Sequence, residues 1–285
     1  MLRSLDSGVS ALQQFQQQMD VIGNNIANVD TVGFKGSSVS FADTFSQSMG
    51  SSSNGSMQVG TGVLTSGIKN KFIQGSITNT GVKDDLAVSG NGFFTVSDPV
   101  NGAQYVTRDG HFNVDKDGYL VTGTGMRVQG YTAFDSTGAG TTTGDIKIDN
   151  TGATMIDPIS GLPVPDPSLV GSYSFGTDGK LTVRLEDGKS FTRGQILLKT
   201  FTSPEQLMKE GNNLYSDLAA AGASALTVPS VNGPGTLATS SLEMSNVDLA
   251  GEMASLITTQ RAFQANAKII TTSDEMLQEL VNLKR

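Results

Sequence analysis

The chain has 285 residues, of which 34 are glycine and only 16% are charged. Its formal net charge of -8 argues against a surface that binds nucleic acid or an anionic membrane. It has no cysteine, which excludes a disulfide framework and a thiolate metal site. This length accommodates one or two domains with extensions, and the high glycine content is typical of a turn-rich β protein.

The N-terminal stretch predicts an amphipathic helix over residues 2–27. Apolar side chains recur there at steps of three and four residues, which places them on one stripe of a helix. Three asparagines, Asn24, Asn25 and Asn28, are weak helix formers and predict the end of this helix. The predicted stripe consists of Leu5, Leu12, Phe15, Met19, Ile22 and Ile26.

The same stretch has no continuous apolar run like the core of a signal peptide. No other part of the chain has 18 consecutive apolar residues, so we expect no membrane insertion. If the protein leaves the cytoplasm, we expect a route without cleavage of a classical signal.

Beyond the first helix, Gly33 and Gly36 flank Phe34 and Lys35 and break the helical period. We expect an extended linker over residues 31–70, with a flexible Ser/Gly-rich loop at 50–62. Residues 225–243 are predicted to form the returning linker.

An antiparallel β domain is predicted over residues 71–145 and 168–224, where apolar side chains alternate with polar ones. The Pro-rich piece at 146–167 interrupts it and is interpreted as an insertion at its tip. Asp-Gly pairs between short apolar runs, and a Gly-Asn-Gly turn at 90–92, are hairpin signals. The four pairs are Asp109-Gly110, Asp117-Gly118, Asp178-Gly179 and Asp187-Gly188.

The C-terminal stretch predicts a second, longer helix, with Ser245 or Asn246 as its cap. Its apolar side chains keep a seven-residue repeat, as those of the first helix do. We therefore predict an α+β fold in which residues 1–30 and 244–285 pair as a coiled coil and the discontinuous β domain is looped out between them. The alternative is two ordinary amphipathic helices on a globular core. The second predicted stripe consists of Leu249, Met253, Leu256, Phe263, Ile270, Leu277 and Val281.

Candidate catalytic residues are few. His111 is the only histidine and follows a predicted hairpin turn, where a solvated side chain is the expected case. Asp84 and Asp85 are adjacent, so in a strand they point to opposite faces. The segment 115–118 resembles the start of a calcium loop but lacks the later ligands of an EF-hand. We expect no catalytic, metal or cofactor site, and a secreted enzyme or binding module stays a remote alternative.

Five blocks of the sequence, at 23–35, 74–96, 105–131, 211–217 and 242–285, together resemble the axial proteins of the bacterial flagellum, the rod, hook and hook-associated family. The first block carries the family motif, which here consists of Asn24, Asn25, Asn28, Gly33, Phe34 and Lys35.

Within that family, the chain ending, the block at 211–217 and the short Ser/Gly loop at 50–62 resemble hook subunits. The resemblance implies a structural, non-enzymatic subunit of a hollow tube that transmits motor torque. Only a short segment separates Tyr131 from Phe191, where hook subunits carry a large outer domain, and the distal rod is therefore the alternative. The implied location is outside the cell, in the hook or basal body. The implied partners are many copies of the chain, the rod protein, the hook cap, the hook-filament junction proteins and the type III export apparatus.

Overall fold

The computed structural model describes residues 2–52, 55–134, 140–150, 154–156, 163–165, 169–229 and 233–283. The chain divides into two compact units. The first, called the helical unit, comprises Met1–Val29, Lys35–Lys71 and Val247–Arg285. The second, called the β unit, comprises Asp30–Phe34 and Phe72–Asn246.

Two helices dominate the helical unit. α1 spans Leu2–Ala27, with the predicted bounds, and α2 spans Leu249–Leu283. Asn25, near the end of α1, donates a hydrogen bond to Glu252 near the start of α2, at 3.2 Å. Gly8 lies against Ile270, so the two helices run antiparallel. Neither helix in the described part of the chain is long and apolar enough to cross a membrane.

The cap of α2 differs from the expected one. Asp248 accepts a hydrogen bond from the Ala250 backbone N–H at 3.1 Å, which is the geometry of an N-cap. Asn246 donates to the Ile73 carbonyl at 3.0 Å instead. The cap is therefore Asp248, three residues after Ser245 and two after Asn246. Its carboxylate accepts a hydrogen bond from a backbone amide at the start of α2.

Four strands complete the helical unit. They are β1 (Ser37–Asp43), β2 (Ser46–Ser52), β3 (Gly55–Gly60) and β4 (Val63–Asn70). β1 pairs with β4 and β2 with β3, both antiparallel. The β1–β4 ladder lies on α1, where Thr65 donates to Gln17 at 2.8 Å and the Phe15 and Phe41 rings meet edge to face.

The prediction of a flexible loop at 50–62 is wrong, because β2 and β3 occupy most of this segment. The sequence there is rich in Ser and Gly and shows no clear strand pattern. A ladder uses backbone N–H and C=O groups, which these residues supply as well as any other.

Strands are the main secondary structure in the described part of the β unit, together with a 3₁₀ turn at Pro204–Gln206. The strands are β5 (Ile77–Asn79), β6 (Leu86–Ser89), β7 (Phe93–Ser97), β8 (Gln104–Thr107), β9 (Phe112–Val114), β10 (Leu120–Thr122), β11 (Arg127–Phe134), β12 (Gly140–Asp145), β13 (Thr154–Ile156), β14 (Pro163–Pro165), β15 (Val170–Phe175), β16 (Lys180–Leu185), β17 (Ser190–Ile196), β18 (Leu198–Lys199), β19 (Met208–Gly211), β20 (Leu214–Ser216), β21 (Thr236–Thr239) and β22 (Ser241–Glu243).

The largest sheet follows the order β15-β16-β17-β11-β7-β8-β20-β19. β9, β10, β12 and β18 join it at the side, and β21 pairs with β6 and β22 with β5. All described pairs are antiparallel. The predicted α+β class, with paired terminal helices and an antiparallel β domain between them in sequence, is confirmed.

Three of the Asp-Gly hairpins are confirmed, at the β9–β10, β15–β16 and β16–β17 turns. The fourth prediction is wrong, because β8 pairs with β7 and β20 and not with β9. Gly110 instead passes the backbone of Leu86 so closely that a Cβ would lie 1.5 Å from the Leu86 carbonyl oxygen. The prediction of a hairpin turn at 90–92 is also wrong, since the strand before it, β6, pairs with β21 and not with β7.

The β unit has its own core. Its largest cluster lies between the sheet strands, and a second one gathers the rings of Phe72, Phe93, Phe201 and Tyr215. Half of the predicted insertion at 146–167 lies outside the described residues. In the described half, β13 and β14 pair with each other. The fully buried side chains of the main cluster include Leu86, Val88, Phe94, Val96, Leu120, Val128, Leu181, Val183, Ile196 and Leu198.

Candidate assembly surface

The α1 stripe faces the inside of the helical unit only in part. Ile22 is 5% exposed and is the one fully buried apolar side chain among the described residues of this unit. The remaining members, Leu5, Leu12, Phe15, Met19 and Ile26, are half-buried. The helical unit therefore has much less core than the β unit.

The predicted α2 stripe splits into two groups. Leu256, Phe263, Ile270 and Leu277 are half-buried and recur every seven residues. The other three members remain exposed, namely Leu249 at 39%, Met253 at 48% and Val281 at 66%.

Polar residues fill the other inward positions of α2, which sequence reasoning missed. Thr259 and Ser273 are 4% and 3% exposed. Their hydroxyls donate to the carbonyls of Ser255 and Ile269, four residues earlier, at 2.8 Å each, so burial leaves no unpaired donor. The available signal was their spacing of two heptads, in step with the half-buried apolar residues.

Apolar side chains also cover much of the outer surface of α2. Exposed aliphatic side chains in such number on one helix mark an interaction surface. They are Leu249, Met253, Ile257, Ile269, Met276, Leu280, Val281 and Leu283.

The end of α2 extends past α1. Gly8 lies opposite Ile270, and α1 begins six residues before Gly8, so an antiparallel partner reaches only to about Met276. Leu280 and Leu283, 49% and 81% exposed, lie beyond that point. The last part of α2 therefore lacks a helical partner within the described residues of the helical unit.

The motif asparagine Asn25 binds the start of β1. Its side chain accepts from the Ser37 N–H at 2.9 Å and donates to the Ser37 carbonyl at 2.8 Å. Asn25 is 1% exposed, and it also donates to Glu252. One amide therefore ties α1, β1 and α2 together. Asn28 donates to the carbonyl of Asn24 at 2.9 Å and so closes the last turn of α1.

The motif glycine Gly33 contacts the β unit, to which it belongs. Its φ is +67°, and a Cβ there would lie 2.7 Å from the Asp109 backbone nitrogen. Its N–H donates to the Glu243 carbonyl at 2.7 Å. Only glycine fits this conformation and this close approach.

The two residues that follow are buried as well. Phe34 is 6% exposed, with the Lys209 ammonium 4.6 Å from its ring centroid. Burial lowers the pKa of Lys209, because it disfavours the charged form. Lys35 is fully buried.

A buried ion pair lies beside Gly33. Arg108 Nη1 is 3.2 Å from Glu243 Oε2, and the two side chains are 2% and 0% exposed. Glu243 also accepts from the Gly75 N–H at 2.9 Å, and Arg108 donates to the Gly90 carbonyl at 2.8 Å. Burial lowers the pKa of Arg108, and the charge of Glu243 opposes that change. Sequence reasoning missed this pair, because residues 135 positions apart carry no local signal.

The candidate catalytic residues make structural contacts. His111 Nδ1 lies 3.0 Å from Asp85 Oδ1, while the histidine side chain is 54% exposed. Asp84 accepts from the Tyr173 hydroxyl at 2.6 Å. The two carboxylates therefore have different partners and do not form an acid/base couple.

Comparison with known families gives three matches along the chain. Residues 5–35 match the family described as flagella basal body rod protein. Residues 87–183 match the flagellar hook protein FlgE/F/G D1 domain, and residues 238–283 match the flagellar basal body rod FlgEFG protein C-terminal family.

Relatives that align over their full length are described as flagellar basal-body rod proteins. The chain is 43% identical over 294 aligned positions to the flagellar basal-body rod protein FlgG of Bacillus subtilis, with 100% of both chains covered. It is 30% identical to FlgG of Borreliella burgdorferi over 295 positions, again with full coverage of both.

The expected hook identity fits the comparisons less well than the rod alternative. The flagellar hook protein FlgE of Borreliella burgdorferi is 29% identical, but the alignment extends over 443 positions and so needs long gaps. The chain ending lies in a region that matches a family model common to FlgE, FlgF and FlgG proteins, whereas the length of the chain matches FlgG. This chain belongs to the family of flagellar basal-body rod and hook proteins.

Proposed function

We propose that this chain is a structural subunit of the distal rod of the flagellar basal body, where many copies form a hollow, torque-transmitting tube. The full-length match to FlgG proteins carries the proposal. The apolar outer surface of α2 supports it, because a polymer gives that surface a partner in neighbouring copies. The role is structural and involves no catalysis.

The layers of the tube follow the predicted domains. Residues 1–30 and 244–285 form the inner layer around a channel, and residues 31–70 and 225–243 link it to the outer layer. Residues 71–145 and 168–224 form the outer wall, with 146–167 at its tip. The separate core of the β unit supports this division, since that unit folds around its own side chains.

The stripes on α1 and α2 hold the subunits together in this proposal. The inward members pair the two helices of one copy, and the exposed members, among them Leu249, Met253 and Val281, contact other copies. Other rod proteins and the type III export apparatus are the remaining partners, and the assembled rod lies outside the cytoplasm.

A pair of variants tests this function. Leu256→Asp places a charge in the half-buried seam and is expected to abolish assembly and motility while the β unit stays folded. Lys268→Asp changes an exposed residue of the same helix and is the control. Electron microscopy of basal bodies measures the outcome. Normal straight rods in cells that carry only Leu256→Asp, or in cells without the protein, contradict the proposal.

A further inference from the structure

The exposed apolar residues of α2, apart from Val281, form two separate patches. The upper patch consists of Leu249, Met253 and Ile257, which are 39%, 48% and 58% exposed. The lower patch consists of Ile269, Met276, Leu280 and Leu283, which are 46%, 51%, 49% and 81% exposed.

The two patches lie on opposite flanks of the helix. At about 100° per residue, Leu256, Phe263, Ile270 and Leu277 point on average about 50° to one side of Leu249, toward α1. The upper patch is centred about 40° to the other side of Leu249 and the lower patch about 190° from it. Each patch is therefore turned roughly a quarter of a circle or more from the seam, in opposite senses.

The surroundings of the patches differ along the helix. On the flank of the upper patch, the part of α2 that follows the patch carries polar residues, namely Gln260, Gln264, Thr271 and Gln278. On the flank of the lower patch, the upper half carries small residues, namely Gly251, Ala254, Thr258, Ala262 and Ala265.

The charged side chains lie apart from both patches. Arg261, Lys268, Glu275 and Glu279 follow a stripe between the flanks, on the side away from α1, and all four are exposed. Burying either patch therefore removes no charge from water, which would be the main cost of such a contact.

A two-fold symmetric pair of α2 helices does not bring an upper patch against a lower patch. A two-fold axis places the same flank of both helices in contact. If the two helices are parallel, the upper patch faces the upper patch of the other copy. If they are antiparallel, it faces the glutamines. Two parallel helices with the same outward face place opposite flanks in contact. A shift along the axis then aligns the patches.

We propose that α2 of one copy packs parallel to α2 of a second copy, with the upper patch on the lower patch and a shift of about 20 to 27 residues, or ~30 to 40 Å. This contact is heterologous, because each copy uses one flank for the preceding neighbour and the other flank for the next. Such a contact does not close on itself as a dimer and generates an open array. The inference rests on the proposed tube and specifies its inner contact.

Disulfide trapping tests the contact, since the natural chain has no cysteine. Full-length Met253→Cys and Met276→Cys single variants are mixed, assembled and oxidised with copper phenanthroline. A second mixture pairs Met253→Cys with Leu280→Cys, which covers the longer shift. We expect a disulfide-linked heterodimer in the assembled fraction of at least one mixture, because cysteines link only when their Cα atoms lie within about 7 Å. Met253→Cys mixed with Lys268→Cys is the control and is expected to link at least tenfold less.

Charge exchange gives an independent measurement. Met253→Glu and Met276→Lys are each expected to raise the concentration needed for assembly at least tenfold. The double variant Met253→Glu/Met276→Lys is expected to recover most of that loss, because Glu of one copy faces Lys of the next.

The outcomes separate the contact from the function. Polymers in which Met253→Cys links only with itself, or equally with Lys268→Cys, overturn the contact and leave the rod subunit standing. A natural chain that stays monomeric at high concentration overturns both.

Discussion

Asn25 contributes to stability through two buried hydrogen bonds to the backbone of Ser37, at the start of β1. Asn25→Ala removes the side-chain amide that bonds the Ser37 N–H and C=O, and two such buried hydrogen bonds together contribute about 1 to 3 kcal/mol. We expect the free energy of unfolding of the helical unit to fall by about 2 kcal/mol, measured by urea titration of helical circular dichroism. Asn24→Ala, one residue earlier and exposed, is the matched control. Equal effects of the two changes contradict the role.

Gly33 is expected to resist substitution by any residue with a Cβ. Gly33→Ala combines a positive φ with backbone atoms 2.7 and 2.8 Å from the added carbon. We expect a loss of about 2 kcal/mol or more in the stability of the β unit, measured by thermal unfolding. Gly23→Ala in α1, where nothing lies within 4 Å, is expected to stabilise its helix by about 0.5 to 1 kcal/mol.

Asp109 gives the stability of the β unit a dependence on pH. Burial raises the pKa of its carboxyl group, and the hydrogen bond from the His111 N–H and the charge of His111 oppose this. The folded protein therefore holds the proton to a higher pH than the unfolded chain. Stability falls as the pH rises from the ordinary carboxyl pKa of about 3.9 through the raised folded value.

Asp109→Asn is expected to flatten this part of the profile of stability against pH, measured by denaturant unfolding between pH 3 and 7. Asp117→Asn, at an exposed turn, controls for the loss of one negative charge. An unchanged slope in Asp109→Asn contradicts the assignment.

For single residues, the sequence indicated which residues matter better than it indicated which partners they contact. The motif around Asn25 and Gly33 was visible, but its hydrogen bonds to Ser37 and Glu243 were not. Those partners are brought together by the fold, and no local spacing indicates them. The same holds for Arg108, whose ion pair depends on a strand far along the chain.

Two neighbouring residues of α2 are expected to differ in role. Ile270 stabilises the subunit itself, whereas Ile269 contributes to contact between copies, and two matched variants distinguish these roles. Ile270 packs against Gly8, whereas Ile269 is 46% exposed. Ile270→Ala is expected to lower the free energy of unfolding of the isolated subunit by about 2 kcal/mol, the low end for such truncations. Ile269→Ala is expected to leave it within about 0.5 kcal/mol and to weaken assembly instead.

Urea unfolding of dilute subunit and sedimentation of the polymer measure the two effects. If Ile269→Ala assembles at the concentration of the natural chain, the outer surface of α2 has no part in assembly.

Element types and bounds followed from periodicity where the pattern was strong. α1 has the predicted bounds, and three Asp-Gly turns join the predicted strands. The predicted α2 stripe, by contrast, mixed inward residues such as Leu256 with outward ones such as Met253. Apolar content alone does not separate the two, because an assembling subunit carries apolar side chains on both sides of a helix.

The two units are expected to differ in their ability to fold alone. A fragment of residues 72–246 keeps the whole main cluster of the β unit and both strands of the β5–β22 pair. We expect it to unfold cooperatively in calorimetry and to stay monomeric in analytical ultracentrifugation, because it lacks α1 and α2. A fragment that polymerises shows that the β unit alone drives assembly and contradicts the role of the helices.

We propose above that the apolar flanks of α2 join copies of this chain into a tube. Electron microscopy with helical reconstruction of the polymer from the purified full-length chain tests it most directly. We expect a straight hollow tube whose inner layer has α2 helices side by side, with Met253 of one copy next to Met276 or Leu280 of another. A tube in which both flanks of α2 face water, or a chain that forms no polymer, contradicts it.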